Sequence, residues 1–367
     1  MARFKSFWGS VSLLAATTIG AGMFSLPYIF KESGWLPGIF YIVVLSGAVI
    51  FVHYLYWLAL ARVDEKKRLL GLVRAQLGNA AFYAALISIV VGLLLTLVIY
   101  LILAQNFGKM ILPAPLNNFG AVLFWLTVSL PLLLRLPRLV GAEFLATTFK
   151  VLIVLLVFLM SKDGFSAAPA LKLENIFLPF GALLFSLAGW TAIEPMFDWQ
   201  KRNGDSKPLS KLTFGTFFSA AVYLFFIIGV LGSDGIVSPD VFTGHSSWPL
   251  WELQVFALLG ILAIWTPYVP VSLEIKNELE KDLRVPALLS FGAVLILPPV
   301  IFFSGFFNFL SIISLVGGVF LALQYVFIIL VSKKILALSG AKKFFANLLL
   351  FVFAAAAAYE IYYFAVR

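Results

Sequence analysis

Ionisable side chains inside apolar segments are the features of this sequence that could do chemistry. Lys150 lies near the middle of an apolar run, about 15 Å of helix from either end. A lysine at the centre of a membrane costs about 2.5 to 3.5 kcal/mol on insertion scales, so such a residue usually faces a cavity and serves function. Its amine could release and take up a proton. The alternative is a lysine paired with a carboxylate for packing alone.

Two carboxylates and a histidine are further candidates. Glu194 and Asp198 are four residues apart, so one helical face carries both, and each could relay a proton or gate a pathway. The alternatives are a structural carboxylate at Glu194 and a solvated one at Asp198, beside Lys201 and Arg202. His53 could change charge near neutral pH, although a lone histidine is more often a hydrogen-bonded packing residue.

The composition indicates that most of the chain lies in lipid. Of 367 residues, 62% are hydrophobic and 12% are charged, about half the charge of a soluble domain. An ordinary soluble enzyme is therefore excluded. No long polar block remains for a separate domain, so residues 1–367 are predicted to form a single transmembrane domain. Cysteine is absent, which excludes disulfides and cysteine-ligated metal centres.

Hydrophobic runs separated by polar, proline or glycine residues predict about eleven transmembrane helices in an all-α protein. The first run is too long for a secretory signal and lacks a small-residue cleavage site, so it is taken as a helix. The predicted spans are residues 7–30, 37–61, 82–107, 118–134, 139–160, 176–199, 212–231, 250–273, 285–303, 307–331 and 345–366.

The basic residues predict an orientation. With the N-terminus inside, 20 of the 26 Lys and Arg residues fall in inner segments. This bias predicts a cytoplasmic N-terminus and an extracytoplasmic C-terminus in the cell membrane. The net charge of +9 is thus a topology signal and not a nucleic-acid footprint. The stretch 64–77 mixes basic residues and leucines, which favours an amphipathic helix on the inner membrane surface, or a solvated loop.

Two spans carry signs of interruption near their middles. The first contains Gly20 and Gly22, and the sixth contains Ser186, Ala188 and Gly189. Each glycine weakens a helix by about 1 kcal/mol relative to alanine. Helices five apart run in opposite directions, as expected if the chain holds a five-plus-five inverted repeat. The repeats would cover about 7–160 and 176–331, with an extra helix at 345–366.

The backbone groups that a broken helix leaves free indicate which chemical groups a substrate would carry. Small residues at these positions could simply let helices pack closely, but a matched pair in both halves favours true breaks. The free N–H and C=O groups of a break suit a carboxylate and an ammonium group. Trp190 could cover the substrate, or serve packing. The predicted substrate-binding residues are Thr17, Ile19, Gly20, Ala21, Gly22, Met23, Ser186, Ala188, Gly189 and Trp190, with Thr96, Tyr100, Thr266 and Ser311 or Ser314 as possible walls.

The stretch from Gly20 to Tyr28, followed by Gly34-Trp35, resembles the first helix of the amino acid/auxin permease family. That family, with the bacterial aromatic amino acid permeases, sits in the amino acid–polyamine–organocation superfamily. Residues 181–194 and 279–286 are similar to its sixth helix and to an inner loop. The resemblance implies the inverted-repeat fold, amino acid uptake and coupling to an ion gradient.

Lys150 resembles the fifth-helix lysine that takes the place of sodium in some proton-coupled, sodium-independent relatives. The family often has Pro-Glu after the sixth-helix break where this chain has Glu194-Pro195, so the role of Glu194 is not carried over. Lys150 and Glu194 are nevertheless both candidates for proton coupling.

The sequence therefore predicts a secondary amino acid transporter that works by alternating access, coupled to H+ and independent of sodium. The alternatives are a sodium-coupled or exchange-type carrier and, less favoured, a multipass enzyme or a channel. The sequence has no histidine-rich box, nucleotide-binding glycine loop or Ser/His/Asp set, and no continuous polar lining. The expected partners are an amino acid, the coupling ion and membrane lipids, with no cofactor, metal or nucleic acid.

Overall fold

A computed structural model describes residues 2–63, 68–113, 115–133, 140–159, 168–233, 237–240 and 249–366, with side chains from residue 6 onward and, in the seventh helix, from residue 143. Helices dominate these residues. They are α1 (Ala2–Thr18), α2 (Leu26–Ser33), α3 (Trp35–Arg62), α4 (Leu69–Leu77), α5 (Asn79–Ile111), α6 (Gly120–Leu133), α7 (Val140–Leu159), α8 (Pro179–Leu187), α9 (Ile193–Arg202), α10 (Pro208–Leu231), α11 (Leu250–Asn277), α12 (Ala287–Ser304), α13 (Phe309–Leu315), α14 (Ala322–Leu336) and α15 (Gly340–Val366).

Each predicted span has a helical counterpart. Nine segments of the described chain are long and apolar enough to cross a membrane, and α1 with α2 form a further one that is bent by 47°. The 20-residue helix α7 lies where the fifth span is predicted. Large apolar side chains cover the outside of α12 and α15, as lipid-facing helices require. The predicted turn at residues 135–138 lies outside the described residues.

Both predicted breaks are present. The first span leaves helical geometry after Thr18, passes through an extended Gly20 (φ −140°, ψ −150°), and resumes as α2 with Pro27 near its start. The sixth leaves it after Leu187, with an extended Ala188, a short 3-10 turn and then α9. In each case two half-helices replace one continuous helix, which leaves backbone groups free near the middle of the bundle.

A third irregularity lies in the tenth span, where the π-helical segment Val316–Leu321 separates α13 from α14. Gly317 in this segment touches the sixth span so closely that an added Cβ would lie 1.9 Å from the carbonyl oxygen of Gly181. Only glycine fits there. The widened turn therefore brings the tenth span against the first half of the broken sixth helix, and the sequence did not predict it.

The helix α4 corrects the prediction of a membrane-surface helix at 64–77. It spans Leu69–Leu77, and residues 64–67 lie outside the described residues. Its apolar side chains Leu69, Leu70 and Val73 are fully buried, and the helix packs against α5 and α14. The leucines thus face protein instead of lipid. The helix closes one end of the bundle, which we name the α4 end.

The loop before α10 is held by an ion pair at the α4 end. Lys211 Nζ lies 2.7 Å from Asp205 Oδ2, and the Lys207 N–H donates to Asp205 Oδ1 at 3.0 Å. Burial alone would raise the pKa of Asp205, but these hydrogen bonds hold that pKa below its ordinary value. The pair therefore stabilises the fold above the unfolded-state pKa, and this stabilisation is lost as the pH falls through the folded-state pKa.

We expect Asp205→Asn to lower the melting temperature at neutral pH, and the difference from the wild type to shrink to nothing in acid. Thermal unfolding of the detergent-solubilised protein across pH, followed by tryptophan fluorescence, measures this. The control is Asp198→Asn, because Asp198 is exposed at the same end. Equal melting temperatures of Asp205→Asn and wild type at neutral pH would contradict a stabilising pair.

Candidate functional site

A small cavity lies between the two helix breaks. Its volume is about 40 Å³, counted as the space open to the centre of a water molecule. Backbone and side chains of both breaks meet there with one face of α5, one residue of α11 and the end of the π-helical segment. The lining residues are Thr17, Thr18, Gly20, Ala21, Gly22, Leu93, Thr96, Tyr100, Phe185, Ala188, Trp190, Thr191, Val271 and Leu321.

Eight of the residues predicted to bind substrate line this cavity. They are Thr17, Gly20, Ala21, Gly22, Thr96, Tyr100, Ala188 and Trp190. The sequence did not predict the apolar residues of the lining, which are Leu93, Phe185, Val271 and Leu321. Leu93 could have been found, because it lies three and seven residues before Thr96 and Tyr100 on one helical face. Phe185 and Leu321 give no such signal, since their places follow from how the broken helices approach each other.

The other predicted residues lie around the cavity and not in its lining. Ile19, Met23, Ser186 and Gly189 belong to the breaks themselves, and Thr266 lies on α11 against Lys150. Ser311 and Ser314 line a different cavity of about 390 Å³ at the opposite end of the bundle from α4. The predicted pocket walls on the tenth span are therefore replaced by Leu321, which the π-helical segment brings inward.

Tyr223 of α10 joins the two breaks. Its hydroxyl lies 2.6 Å from the carbonyl oxygen of Thr18 and 2.7 Å from that of Ser186. A hydroxyl has one proton, so it donates to one carbonyl at a time. Both carbonyls come from the ends of first half-helices, where continuous helices would have used them. Tyr223 is fully buried, and it stabilises the unwound backbone on both sides at once.

We expect Tyr223→Phe to lower stability by about 1 to 3 kcal/mol, because the buried carbonyls of Thr18 and Ser186 lose the one donor that they share. The variant should also bind substrate more weakly, since the spacing of the breaks is no longer fixed. Denaturant or thermal unfolding and a ligand-induced melting shift measure the two effects. Tyr83→Phe is the control, because that ring is 61% exposed. Unchanged stability of Tyr223→Phe would show that the hydroxyl does not stabilise the two breaks.

Lys150 contacts the first break directly. Its amine donates to the carbonyl oxygens of Ile19 (2.7 Å) and Ala16 (3.3 Å) and to Thr266 Oγ1 (3.2 Å). The three donors of an ammonium group are thereby matched by three acceptors. The side chain is fully buried. Glu143, seven residues earlier on α7, is the carboxylate whose charge acts on this amine.

Glu194 belongs to a separate cluster at the α4 end. Tyr56 donates its hydroxyl to Glu194 Oε1 at 2.6 Å, and Arg68 Nη1 lies 3.7 Å from Glu194 Oε2. Arg68 also forms an ion pair with Glu274 of α11. Burial alone would lower the pKa of Arg68, but Glu274 and Glu194 raise it above its usual range, so the guanidinium stays charged. Arg68 thus links α9 to α11 about one helical turn from the cavity, on the side of the α4 end.

Comparison with known proteins gives this site a context. A family model described as transmembrane amino acid transporter protein matches residues 3–232. The chain belongs to this family. The match confirms the permease resemblance of the first helix, and it identifies a multi-pass membrane transporter of amino acids, not an enzyme. Among curated proteins, no sequence matches the chain.

Solved structures confirm the inverted-repeat fold of this transporter. The structure of MhsT in complex with L-phenylalanine aligns with a TM-score of 0.67 at 15% identity, and the alignment covers 96% of this chain and 97% of that one. The Eremococcus coleocola manganese transporter, in complex with an aromatic bis-isothiourea substituted compound, aligns with a TM-score of 0.64 at 14% identity, covering 97% and 87%.

Further hydrogen bonds of the transporter hold Trp190, an aromatic residue of the cavity lining, in place. Trp190 Nε1 donates to Gln324 Oε1 at 2.6 Å, and Gln324 Nε2 donates to the Ser88 carbonyl at 2.8 Å. His53 Nε2 lies 3.0 Å from the Tyr325 hydroxyl and is fully buried among helices, which matches a hydrogen-bonded packing residue. Among the described residues, no group of three His, Asp or Glu side chains is placed to hold a metal ion.

Proposed function

We propose that the protein is a secondary active transporter that couples amino acid uptake to protons, without sodium, by alternating access. One observation carries the proposal. The Lys150 amine contacts the carbonyls that the first break leaves free, so a change in its charge acts directly on the backbone that borders the cavity. Lys150 also resembles the fifth-helix lysine that takes the place of sodium in some sodium-independent relatives, which supports the absence of sodium coupling.

The substrate is proposed to bind between the breaks. The free N–H groups that follow Gly20 suit the substrate carboxylate, and the free carbonyls of the half-helix ends suit its ammonium group. Leu93, Phe185 and Val271 give the cavity apolar walls, and Trp190 covers one side. These walls favour a neutral amino acid with an apolar side chain. The structure that binds L-phenylalanine in a similar fold supports this choice.

Glu194 is proposed to act as a gate and not as the direct partner of Lys150. It lies in the cluster with Arg68 and Tyr56, about one helical turn from Trp190. Opening the cavity toward the α4 end requires this cluster to separate. Because the predicted inner loops are rich in Lys and Arg, the α4 end is proposed to face the cytoplasm and the C-terminus to lie outside. The proposed repeat limits remain 7–160 and 176–331.

Uptake into proteoliposomes tests the function. A thermal-shift screen of individual amino acids selects the substrate first, because a ligand at 100 times its Kd adds about 2.7 kcal/mol of stability. The labelled substrate is then offered under an inward proton gradient in sodium-free buffer. We expect concentrative uptake that a protonophore abolishes. Uptake that requires sodium would overturn the coupling, and no stabilisation or uptake by any of the amino acids would overturn the function.

A further inference from the structure

Four of the described carboxylates at the α4 end surround a single arginine. Glu194, Glu274, Glu278 and Asp282 lie near one another around Arg68, and we name these four the carboxylate cluster. Arg68 is already engaged by Glu274 and Glu194. If all four carboxylates were ionised, the cluster would hold three more negative charges than Arg68 balances. Such an excess is expensive where water is removed.

Glu278 carries the strongest evidence. Its side chain is fully buried, and neither carboxylate oxygen has a hydrogen-bond partner within the described ranges of the chain. It opens the π-helical turn Glu278–Asp282, which directs it toward the interior while the rest of the turn continues to the surface. Asp282 ends the same turn, and its Oδ2 is likewise buried without a hydrogen-bond partner among the described residues. An isolated buried carboxylate takes up a proton rather than remain charged.

The groups that surround Glu278 come from several helices. Glu194 on α9, Glu274 on α11 and Tyr56 on α3 lie on its inner side, with Arg68 between them. The neighbouring helix α12 has no ionisable residue. The exposed basic residues Arg74, Lys281 and Arg284 line a cavity of about 380 Å³ together with Arg68 and Asp282, and Glu278 is not part of that lining.

We propose that the carboxylate cluster binds one proton, shared by Glu278 and Asp282, while the α4 end is closed, and releases it when that end opens. Opening separates Arg68 from Glu194, because α9 must move away from α11. Water then reaches Glu278, and the proton passes to that water as the carboxylate ionises. The proton binding follows from the structure of the cluster, whereas its role in opening rests on the proposed function. This proton site is distinct from Lys150.

Infrared spectroscopy of the full-length protein tests the proton directly. We expect the carbonyl stretch of a protonated carboxyl group in the wild type at neutral pH, and its loss in Glu278→Gln. Glu280→Gln is the matched control, because Glu280 lies on the same turn but pairs with Lys276 at 2.8 Å. That control should keep the band. A band that persists in Glu278→Gln overturns the proposal. If Glu278→Gln does not fold, Asp282→Asn decides, because it must shift the same band.

A thiol probe tests the opening. The chain has no cysteine, so Thr191→Cys places one reactive group in the cavity lining. Alkylation from the α4 side in vesicles is divided at each pH by the alkylation rate of the same thiol in the denatured protein, because a thiol itself reacts faster as it ionises. This ratio should rise with pH, by up to about tenfold per unit for one ionising group. Adding Glu278→Gln should make the ratio independent of pH. A pH dependence that survives in the double variant overturns the opening role.

Neither the infrared measurement nor the alkylation measurement uses an amino acid or a proton gradient. Failed uptake with an intact infrared band would therefore count against the proposed function alone, and a missing band with normal uptake against the cluster alone.

Discussion

We expect the replacement of Lys150 by alanine to abolish the accumulation of amino acid against its gradient. The amine donates to Ile19, Ala16 and Thr266, so the variant removes both the proposed proton carrier and the contacts that hold the unwound first helix. Each buried acceptor left without a donor costs about 1 to 3 kcal/mol. We expect the internal amino acid to rise only to the external concentration, with no response to an imposed proton gradient.

Proteoliposome uptake with and without a proton gradient measures this effect, and Lys109→Ala, an exposed lysine at the end of α5, is the control. Exchange of labelled for unlabelled substrate separates a coupling defect from a folding defect, because exchange needs the cavity but no gradient. Normal concentrative uptake by Lys150→Ala would refute the coupling role. Loss of exchange as well would call for Lys150→Arg, which keeps a cation and donors at the site.

The sequence could predict the parts of this transporter that leave a local signal. Eleven apolar runs, two matched small-residue breaks and one central lysine are each visible within a single span. The breaks could be predicted because glycine weakens a helix where it occurs, whatever the rest of the chain does. The amine of Lys150 lies against the first break because a buried lysine needs acceptors, and unwound backbone supplies them.

The rest of the site depends on partners far apart in the chain. Tyr223 meets Thr18 across 205 residues, and Arg68 meets Glu274 across 206. Within α10 a tyrosine is one more aromatic side chain in an apolar run. Glu278 stands in a charged stretch that reads as a solvated loop, and only the π-helical turn buries it. The walls formed by Phe185 and Leu321 likewise follow from helix packing, which no local pattern encodes.

The second large effect is expected for a substitution at Gly22, where the two breaks approach each other closely. A Cβ added to Gly22 would lie 2.3 Å from Ser186 Oγ and 2.8 Å from Ser186 Cα. A side chain can rotate away, but the Cα cannot move without shifting α8. We therefore expect Gly22→Ala to cost about 1 to 3 kcal/mol of stability through overpacking. It should also abolish transport, because the breaks that border the cavity are forced apart.

Two other glycines are matched controls. At Gly20, an added Cβ would meet no neighbour closer than 3.6 Å, and the extended backbone there accepts any residue. Gly20→Ala should thus retain near wild-type stability. Gly47 has open space around it on α3, so Gly47→Ala should keep both stability and transport. Thermal unfolding and substrate uptake of the three variants distinguish close packing from a general effect of added methyl groups.

A double variant tests the contact itself. Ser186→Ala removes the hydroxyl nearest to the new methyl group, and it costs little alone because that hydroxyl donates to the Ala182 carbonyl within its own helix. In Gly22→Ala with Ser186→Ala, the clash with Oγ is relieved but the clash with Cα remains. We expect partial recovery of stability, so that the double loss is smaller than the sum of the single losses. Strictly additive losses would place the damage of Gly22→Ala elsewhere than at the meeting of the two breaks.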